Sequence, residues 1–562
     1  MIEDFRSSAC PDSFEADVCI VGAGPAGITI AAELANTPWK ICLLESGGLR
    51  SERESQALNE GESVGPDALD PATCRLRTFG GASRLWGGGC IPLSAIEMAR
   101  RDWVPDSGWP IGWDELAPYY TRASKVCQVE PGEFGDGTYV PMDASADHSP
   151  PYSNLDNRTS RVKRLDFGQA HLGLLRSAPN MQLLLHANLL RLEAVDNASA
   201  VHRAVIGTID GRRGHVSARF FVLAAGGIEN ARLLLLSNDV APAGLGNDHD
   251  LVGRYFMDHP RCRLGTFRAG GMERLAHLYT RPLDRAACQA FHQLSLSARA
   301  QRSHKLLNAR VRPFMVERPA PLGLQSLRAL RASLRRTASD DESQCIEHEV
   351  LDALAEDLPN QIPETAQPAQ PVHRGRLALR TALNAGHILS AGRRKLARRS
   401  TVETDRVEMV GYFEQAPNRD SRICLSDRRD ALGLRKVQVD WRLGGIDKAS
   451  IRTAAGLIAG DVAAHFDCEF EPAEWLRDTA RTPQVHGTAH HIGTTRMSES
   501  PATGVVDPRC RVHGVDNLYV AGSSVFPTGG WAFPTLTIVA LALRITDDLR
   551  SRLGELSMLM ML

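Results

Sequence analysis

A short stretch near the start, ADVCIVGAGPAGITIAAELA (16–35), restricts the fold more than any other part of the chain. A β-branched run leads into a glycine turn, and the turn opens an alanine-rich helix, the order in which a βαβ unit begins. Gly22 permits the tight turn, Gly24 lets the backbone approach a pyrophosphate, and Gly27 lets helix and strand pack closely. The helix N-terminus then faces phosphate oxygens. The following strand, KICLLES, ends at Glu45, 18 residues past Gly27, where a carboxylate accepts both ribose hydroxyls and disfavours a 2′-phosphate. Strand, turn, helix, strand and acid in register predict an adenine dinucleotide.

The unit recurs in pieces. RFFVLAAGGIENARLLLLS (219–237) is another strand, a turn at Gly226 and Gly227, and a helix; DNLYVAGSSVFPTGGWAFPTLTIVALALR (516–544) returns to the same sheet. No second glycine pattern for a dinucleotide is present, so one such cofactor is expected. The predicted fold class is therefore α/β, with a discontinuous Rossmann-like nucleotide domain over 15–260 and 481–550. A substrate-binding domain on a mixed β-sheet with helices is expected over 261–480. Within it, residues 299–401 are a basic, acidic, proline-rich and again basic segment. Leu327, Leu330 and Leu334 recur there at helical spacing, with Arg328, Arg331 and Arg335 on the other face. Two readings stand: a solvated helix covering the substrate domain, or a docking surface for a carrier or redox partner. The proline-rich piece at 359–371 reads as a surface loop or lid.

Composition removes several classes of partner. A formal charge of −1, with 43% hydrophobic and 23% charged residues, gives no reason to expect nucleic acid or an anionic membrane. The 12 cysteines include no CxxC pair, so neither a zinc ribbon nor a disulfide framework is indicated, and reduced thiols in a cytoplasm fit. The start carries no export signal, and the longest apolar run, Phe533 to Leu543, is too short for a membrane span. A cytoplasmic protein acting on a small molecule is expected.

HGTAHHIGTTRM (486–497) holds His486, His490 and His491. The spacing of the first two would suit one face of a zinc helix, but Gly487 and Thr488 stand where a glutamate base is needed, so no metal is expected.

Three segments together resemble the glucose-methanol-choline (GMC) oxidoreductases, flavoenzymes that bind FAD and mostly oxidise alcohols. They are VGAGPAGITIAAEL, RTFGGASRLWGGG (77–89), and the pair HHIGTTRM and GSSVFPTGGWAFPTLT. LVGRYFMDHP (251–260) and YFEQAPNRDSRICLSDRRDALGL (412–434) look like the bacterial branch related to pyranose oxidase and fructose dehydrogenase. Residues 299–401 lie outside the likeness. The resemblance implies that Gly80, Gly81 and Ser83 run along the flavin, that Leu189 lies near the adenine, and that Gly522 and Ser523 lie near the pyrophosphate or ribityl chain. Leu85 holds the place of the histidine that is bonded to the flavin in covalent members, which implies non-covalent FAD. The same carry-over selects His490 as the base that takes a hydroxyl proton while hydride passes to flavin N5. His491 is then a core or supporting residue.

One position departs from the family. Phe533 stands immediately before PTLT, where a second catalytic histidine or asparagine is usual. A lost donor of this kind is commonly worth ~3 kcal/mol of transition-state stabilisation. Three accounts are open: a donor from elsewhere, with Trp531, His491 and Glu414 as candidates; a bulky substrate stacking on Phe533 while His490 works alone; or an FAD-containing tailoring enzyme, catalysing desaturation, lyase or cyclisation chemistry, that has lost alcohol oxidation. Oxidation of a CH–OH group in a glycoside, polyol or larger natural-product-like molecule ranks first. Oxygen, a quinone or a protein would accept the electrons. Pro534 and Thr535 open the last helix, whose positive end would favour negative charge on the reduced flavin.

Overall fold

The structure, a computed structural model, describes residues 1–129, 134–135, 138–139, 152–280, 282, 288–318, 320–335, 342–355, 374–396 and 404–561. The proline-rich piece at 359–371 falls outside them.

The β-branched run before Gly22 forms the strand Ser13–Val21, which is buried over its last four residues and central to an eight-stranded sheet. It pairs in parallel with Ile41–Leu44 on one side and Arg213–Leu223 on the other. Leu518–Val520 joins Arg213–Leu223, also in parallel. The register aligns the carboxyl ends: Val21 lies opposite both Leu44 and Leu223, and Leu223 lies opposite Val520. Gly22, Glu45, Gly226 and Gly522 therefore emerge along one edge, the place where open α/β sheets bind ligands. Two antiparallel strands, Val201–Gly207 and Asn188–Ala194, close the other margin.

A second sheet of seven strands runs in the order Glu469–Pro472, Arg261–Arg268, Thr404–Phe413, Ala309–Glu317, Gln289–Leu296, Leu155–Val162 and Gly89–Cys90. Its described pairings are all antiparallel, where the sequence suggested a mixed sheet. An antiparallel sheet can bury one face and leave the other open. Here the helix Gly445–Phe466 packs Ile451, Ala455 and Ile458 into one apolar cluster with Ala309, Val311 and Met409. Alternation then turns Arg310 and its cross-strand neighbour Tyr412 to the opposite face, over the nucleotide edge.

The chain does not divide between the sheets where the sequence suggested. Gly89–Cys90 and Leu155–Val162, inside 15–260, belong to the second sheet, because Leu155–Val162 pairs along its length with Gln289–Leu296. Ile2–Asp4, before residue 15, joins the first.

Within 299–401, the helix Leu322–Arg335 half-buries Leu327 and Leu330 and exposes Arg328 and Arg331, packing against the helices Arg374–Leu383 and Ala385–Leu396. The side chains of Leu334 and Arg335 are outside the described ones. The acidic helix Glu342–Ala355 does something else. Its Glu347 meets Arg84 at 3.0 Å, its Glu349 meets Arg53 at 3.0 Å, and its Leu354 carbonyl accepts from Arg261 at 3.0 Å. It is thereby held across the gap between the sheets. Among the described residues no helix is long and apolar enough to cross a membrane.

Candidate active site

A cavity of about 1060 Å³ runs from the carboxyl edge of the first sheet to the open face of the second. At the nucleotide end Gly22 has φ +103°, and a Cβ there would sit 2.6 Å from the Ala224 carbonyl oxygen; at Gly27 a Cβ would sit 1.9 Å from the Gly22 oxygen. Gly24 has open space where its Cβ would be, and the helix Pro25–Leu34 that follows has no side-chain cap. Its first amides are free to meet an anion. Gly80 donates to the Ala23 carbonyl at 2.8 Å, and Gly81 stands against Gly24, which brings the GGAS turn onto the same cradle.

Glu45 is buried, and its two oxygens accept from Ala23 N at 3.1 Å and Gly47 N at 2.8 Å. Oε1 also accepts from the Ser46 hydroxyl at 3.3 Å, and Oε2 keeps a lone pair direction for a hydroxyl donor. Leu189 lines the cavity beside Asn188, whose buried Oδ1 has no protein partner. Ser83 is less available than the sequence suggested: its hydroxyl donates to Gly80 O at 2.6 Å and accepts from Phe167 N at 3.1 Å, so it braces the turn. Ser523 likewise donates to the His491 carbonyl at 2.6 Å. Gly226, Gly522, Pro534 and Thr535 all line the cavity. A buried carboxylate, uncapped helix amides and an orphaned amide oxygen around one crevice fit an adenine dinucleotide.

At the other end the three histidines part company. The segment 486–497 is not helical, so the one-face arrangement of His486 and His490 does not arise. His486 exchanges two backbone hydrogen bonds with Arg261. His491 is buried with its ring stacked on Phe256, centroids 5.9 Å apart, and burial lowers its pKa to about 3. His490 lines the cavity. Its Nδ1 lies 3.0 Å from Thr488 Oγ1 and 3.0 Å from Nδ1 of His259. Asp258 fixes this loop, because its Oδ1 accepts from His259 N, Thr488 N, Thr488 Oγ1 and His490 N. Burial holds the His490 pKa well below 6.5, and the nearby His259 and Arg310 act in the same direction. His259, buried against the Gly529 and Gly530 backbone, is lowered to about 4 by desolvation.

Phe533 sits beside His490, ring centroids 6.4 Å apart at 76°. Gly89 makes its place: a Cβ there would lie 2.6 Å from the phenyl ring. The guanidinium of Arg310 lies over that ring, Cζ to centroid 4.7 Å.

Two expected substrate contacts are corrected. Glu414 is fully buried in a bidentate ion pair with Arg101, at 2.5 and 2.8 Å, and does not reach the cavity. Trp531 is also off the cavity wall, its ring flanked by the guanidiniums of Arg158 at 5.1 Å and Arg310 at 5.7 Å. Sequence reasoning missed Asp258, His259, Thr488 and Arg310. The DH of MDHP was a visible signal for the first two; nothing local marked Arg310.

Residues 417–542 match the family model described as GMC oxidoreductase. Paromamine 6'-oxidase of Streptomyces fradiae is 25% identical over 95% of this chain and 92% of its own length. The large subunit of fructose dehydrogenase from Gluconobacter japonicus is 25% identical over 60% of this chain and 48% of its own. The segment 417–542 is a GMC oxidoreductase domain. The crystal structure of a formate oxidase shares the fold of this protein, with a TM-score of 0.56 at 15% identity over 97% of this chain and 100% of that one. The enzyme is an FAD-dependent oxidoreductase acting on CH–OH donors, and the cradle around Gly22, Gly24 and Glu45 fits that cofactor.

Proposed function

We propose that the enzyme oxidises a hydroxyl-bearing carbon of a glycoside, polyol or larger small molecule held between His490 and Phe533, with His490 as base. The observation that carries this reading is the hydrogen-bonded setting of His490. Thr488 Oγ1 gives its one proton to Asp258 Oδ1 at 2.9 Å, so toward His490 it accepts. The hydrogen between them then belongs to His490 Nδ1, and Nε2 keeps its lone pair for a substrate hydroxyl. Nδ1 of the neutral His259, at 3.0 Å, is a second acceptor for the same hydrogen. Burial keeps both imidazoles uncharged before reaction, which a base requires.

Bound FAD supplies the two-electron acceptor. Pro534 places the first turn of the final helix on the cavity, and its positive end stabilises negative charge there. Leu85 lines the cavity and offers no nucleophile, which supports a non-covalent cofactor. The phenyl ring of Phe533 serves as a flat apolar wall for the substrate. All 12 cysteines are free thiols, which supports a reducing, cytoplasmic setting; oxygen, a quinone or a protein takes the electrons onward.

The test is anaerobic mixing of the holoenzyme with a panel of alcohols, polyols and glycosides. Bleaching of the visible flavin band by at least one compound, lost in His490→Ala, supports the reading; no bleaching by any of them overturns it.

A further inference from the structure

Three of the buried guanidinium groups in this protein come with carboxylates. Arg101 has Glu414 at 2.5 Å, Arg158 has Glu97 at 3.6 Å, and Arg232 has Asp430 at 2.6 Å. Arg310 does not. It is 5% exposed, and among the described residues no carboxylate lies within 4.0 Å of it. Among the described residues its one hydrogen bond is from Nη1 to Gln293 Oε1 at 2.9 Å, and its buried Nε has no partner there. Three aromatic faces surround it, Tyr412 at 4.1 Å, Phe533 at 4.7 Å and Trp531 at 5.7 Å. Such faces offset part of the cost of burying the charge, but they leave a donor edge unsatisfied.

The position of that edge gives it a use. Arg310 lines the cavity on the open face of the second sheet, directly over Phe533 and near enough to His490 to disfavour its protonation. A planar fork with an open donor, walled by aromatic rings, matches a carboxylate. Acids that line the cavity do not neutralise it. Glu45 is bound to backbone amides, Glu229 is paired with Arg75 and Arg77, and Asp352 is exposed.

We propose that the substrate is a hydroxy acid, such as a uronic or aldonic acid or a glycoside bearing one, whose carboxylate docks on Arg310 while its hydroxyl meets His490. This rests on the reading of the cavity as the oxidation site. It deepens that reading by making Arg310 the residue that selects charge: an anionic substrate is held, and a cationic amino sugar is repelled. Phe533 then has a second role. By stacking on the guanidinium it fixes the plane of the fork, which a smaller polar residue would not do.

The experiment is a titration of the holoenzyme, followed by perturbation of the visible flavin spectrum, with glucuronate, gluconate, glucose and glucosamine. Wild type is expected to bind at least one of the two acids about tenfold or more tighter than glucose, with glucosamine weakest, as a charge-assisted hydrogen bond provides. Arg310→Gln is expected to erase the order, and Arg310→Lys, which keeps charge but not the fork, to restore part of it. Flavin content of each variant reports whether it has folded. Equal binding of acid and neutral sugar by wild type, no binding of either acid, or an unchanged preference in Arg310→Gln overturns the proposal. Flavin reduction by neutral alcohols in wild type and in Arg310→Gln separates the two claims: reduction without acid preference leaves the oxidation reading standing and removes this one.

Discussion

The Nδ1 atoms of His490 and His259 lie 3.0 Å apart, with the rings at 77°. Two imidazoles this close share a single hydrogen, and burial prevents either from charging before a substrate proton arrives. The acid limb of kcat/KM is therefore expected below pH 6.5, since the base is competent above its depressed pKa and lost only beneath it. A pH profile of flavin reduction checks this; a limb at or above pH 6.5 contradicts it.

His259 gives a separate, thermodynamic signature. Its pKa of about 4 in the folded enzyme stands below the ordinary imidazole value of 6.5, so as pH falls the unfolded chain takes the proton first. Stability from the neutral ring is complete above pH 6.5 and is lost between 6.5 and 4, by about 3 kcal/mol. Asp447, raised to about 7 by burial, changes in the opposite sense, and His490 and His491 change in the same sense, so the wild-type curve mixes them all. The difference in stability between wild type and His259→Asn, measured by denaturant at each pH, isolates the histidine and should shrink across that window.

In the proposed mechanism Asp258 and Thr488 position the base. Thr488→Val removes the acceptor that fixes the His490 tautomer but leaves the ring in place. We expect flavin reduction to slow by about tenfold to a hundredfold, less than the 10²- to 10⁴-fold expected of a lost general base. Thr488→Ser should recover most of the rate. Rapid-mixing measurements on wild type, Thr488→Val, Thr488→Ser and His490→Ala check the order.

Gly89 and Phe533 are complementary. A methyl at Gly89 would lie 2.6 Å from the phenyl ring, so Gly89→Ala should cost about 1–3 kcal/mol of stability through overpacking. Phe533→Leu in the same chain should return part of it. A double-mutant cycle read by thermal unfolding gives the coupling, and additive effects would show that the ring does not depend on that glycine.

Glu229 receives ion pairs from the partly buried Arg75 at 2.6 Å and Arg77 at 3.1 Å and from the buried Arg232 at 3.3 Å. These charges hold its carboxyl well below the usual range despite the opposing effect of burial. Glu229→Gln leaves Arg75 and Arg77 without a counter-charge, while Arg232 keeps Asp430, and a loss of about 3–5 kcal/mol is expected. Urea unfolding measures it.

The parts of this enzyme that were legible in its sequence are those encoded locally. Gly22, Gly24 and Gly27 announce a turn because backbone geometry demands them there, Glu45 follows at the end of the next strand, and Pro534 opens a helix where its missing amide costs nothing. The family likeness then selected His490 and singled out Phe533. The partners of His490 were not legible, because His259 stands 231 residues away and meets it only through the bridge that joins Met257 to Ile492. Arg310 was hidden for a related reason. In LNARVRPF it is one of two alternating arginines, and only the antiparallel register with Tyr412 turns it onto the cavity. Glu414 misled in the opposite way, since an acid in a family segment invites a role at the substrate, yet Arg101 from 313 residues away claims both oxygens.

The most direct test is the rate of anaerobic flavin reduction in wild type and His490→Ala, with a hydroxylated substrate at saturation and FAD content matched. The account predicts a fall of 10²- to 10⁴-fold with the flavin still bound. A variant that bleaches its flavin at the wild-type rate would contradict it, and would move the base to another residue.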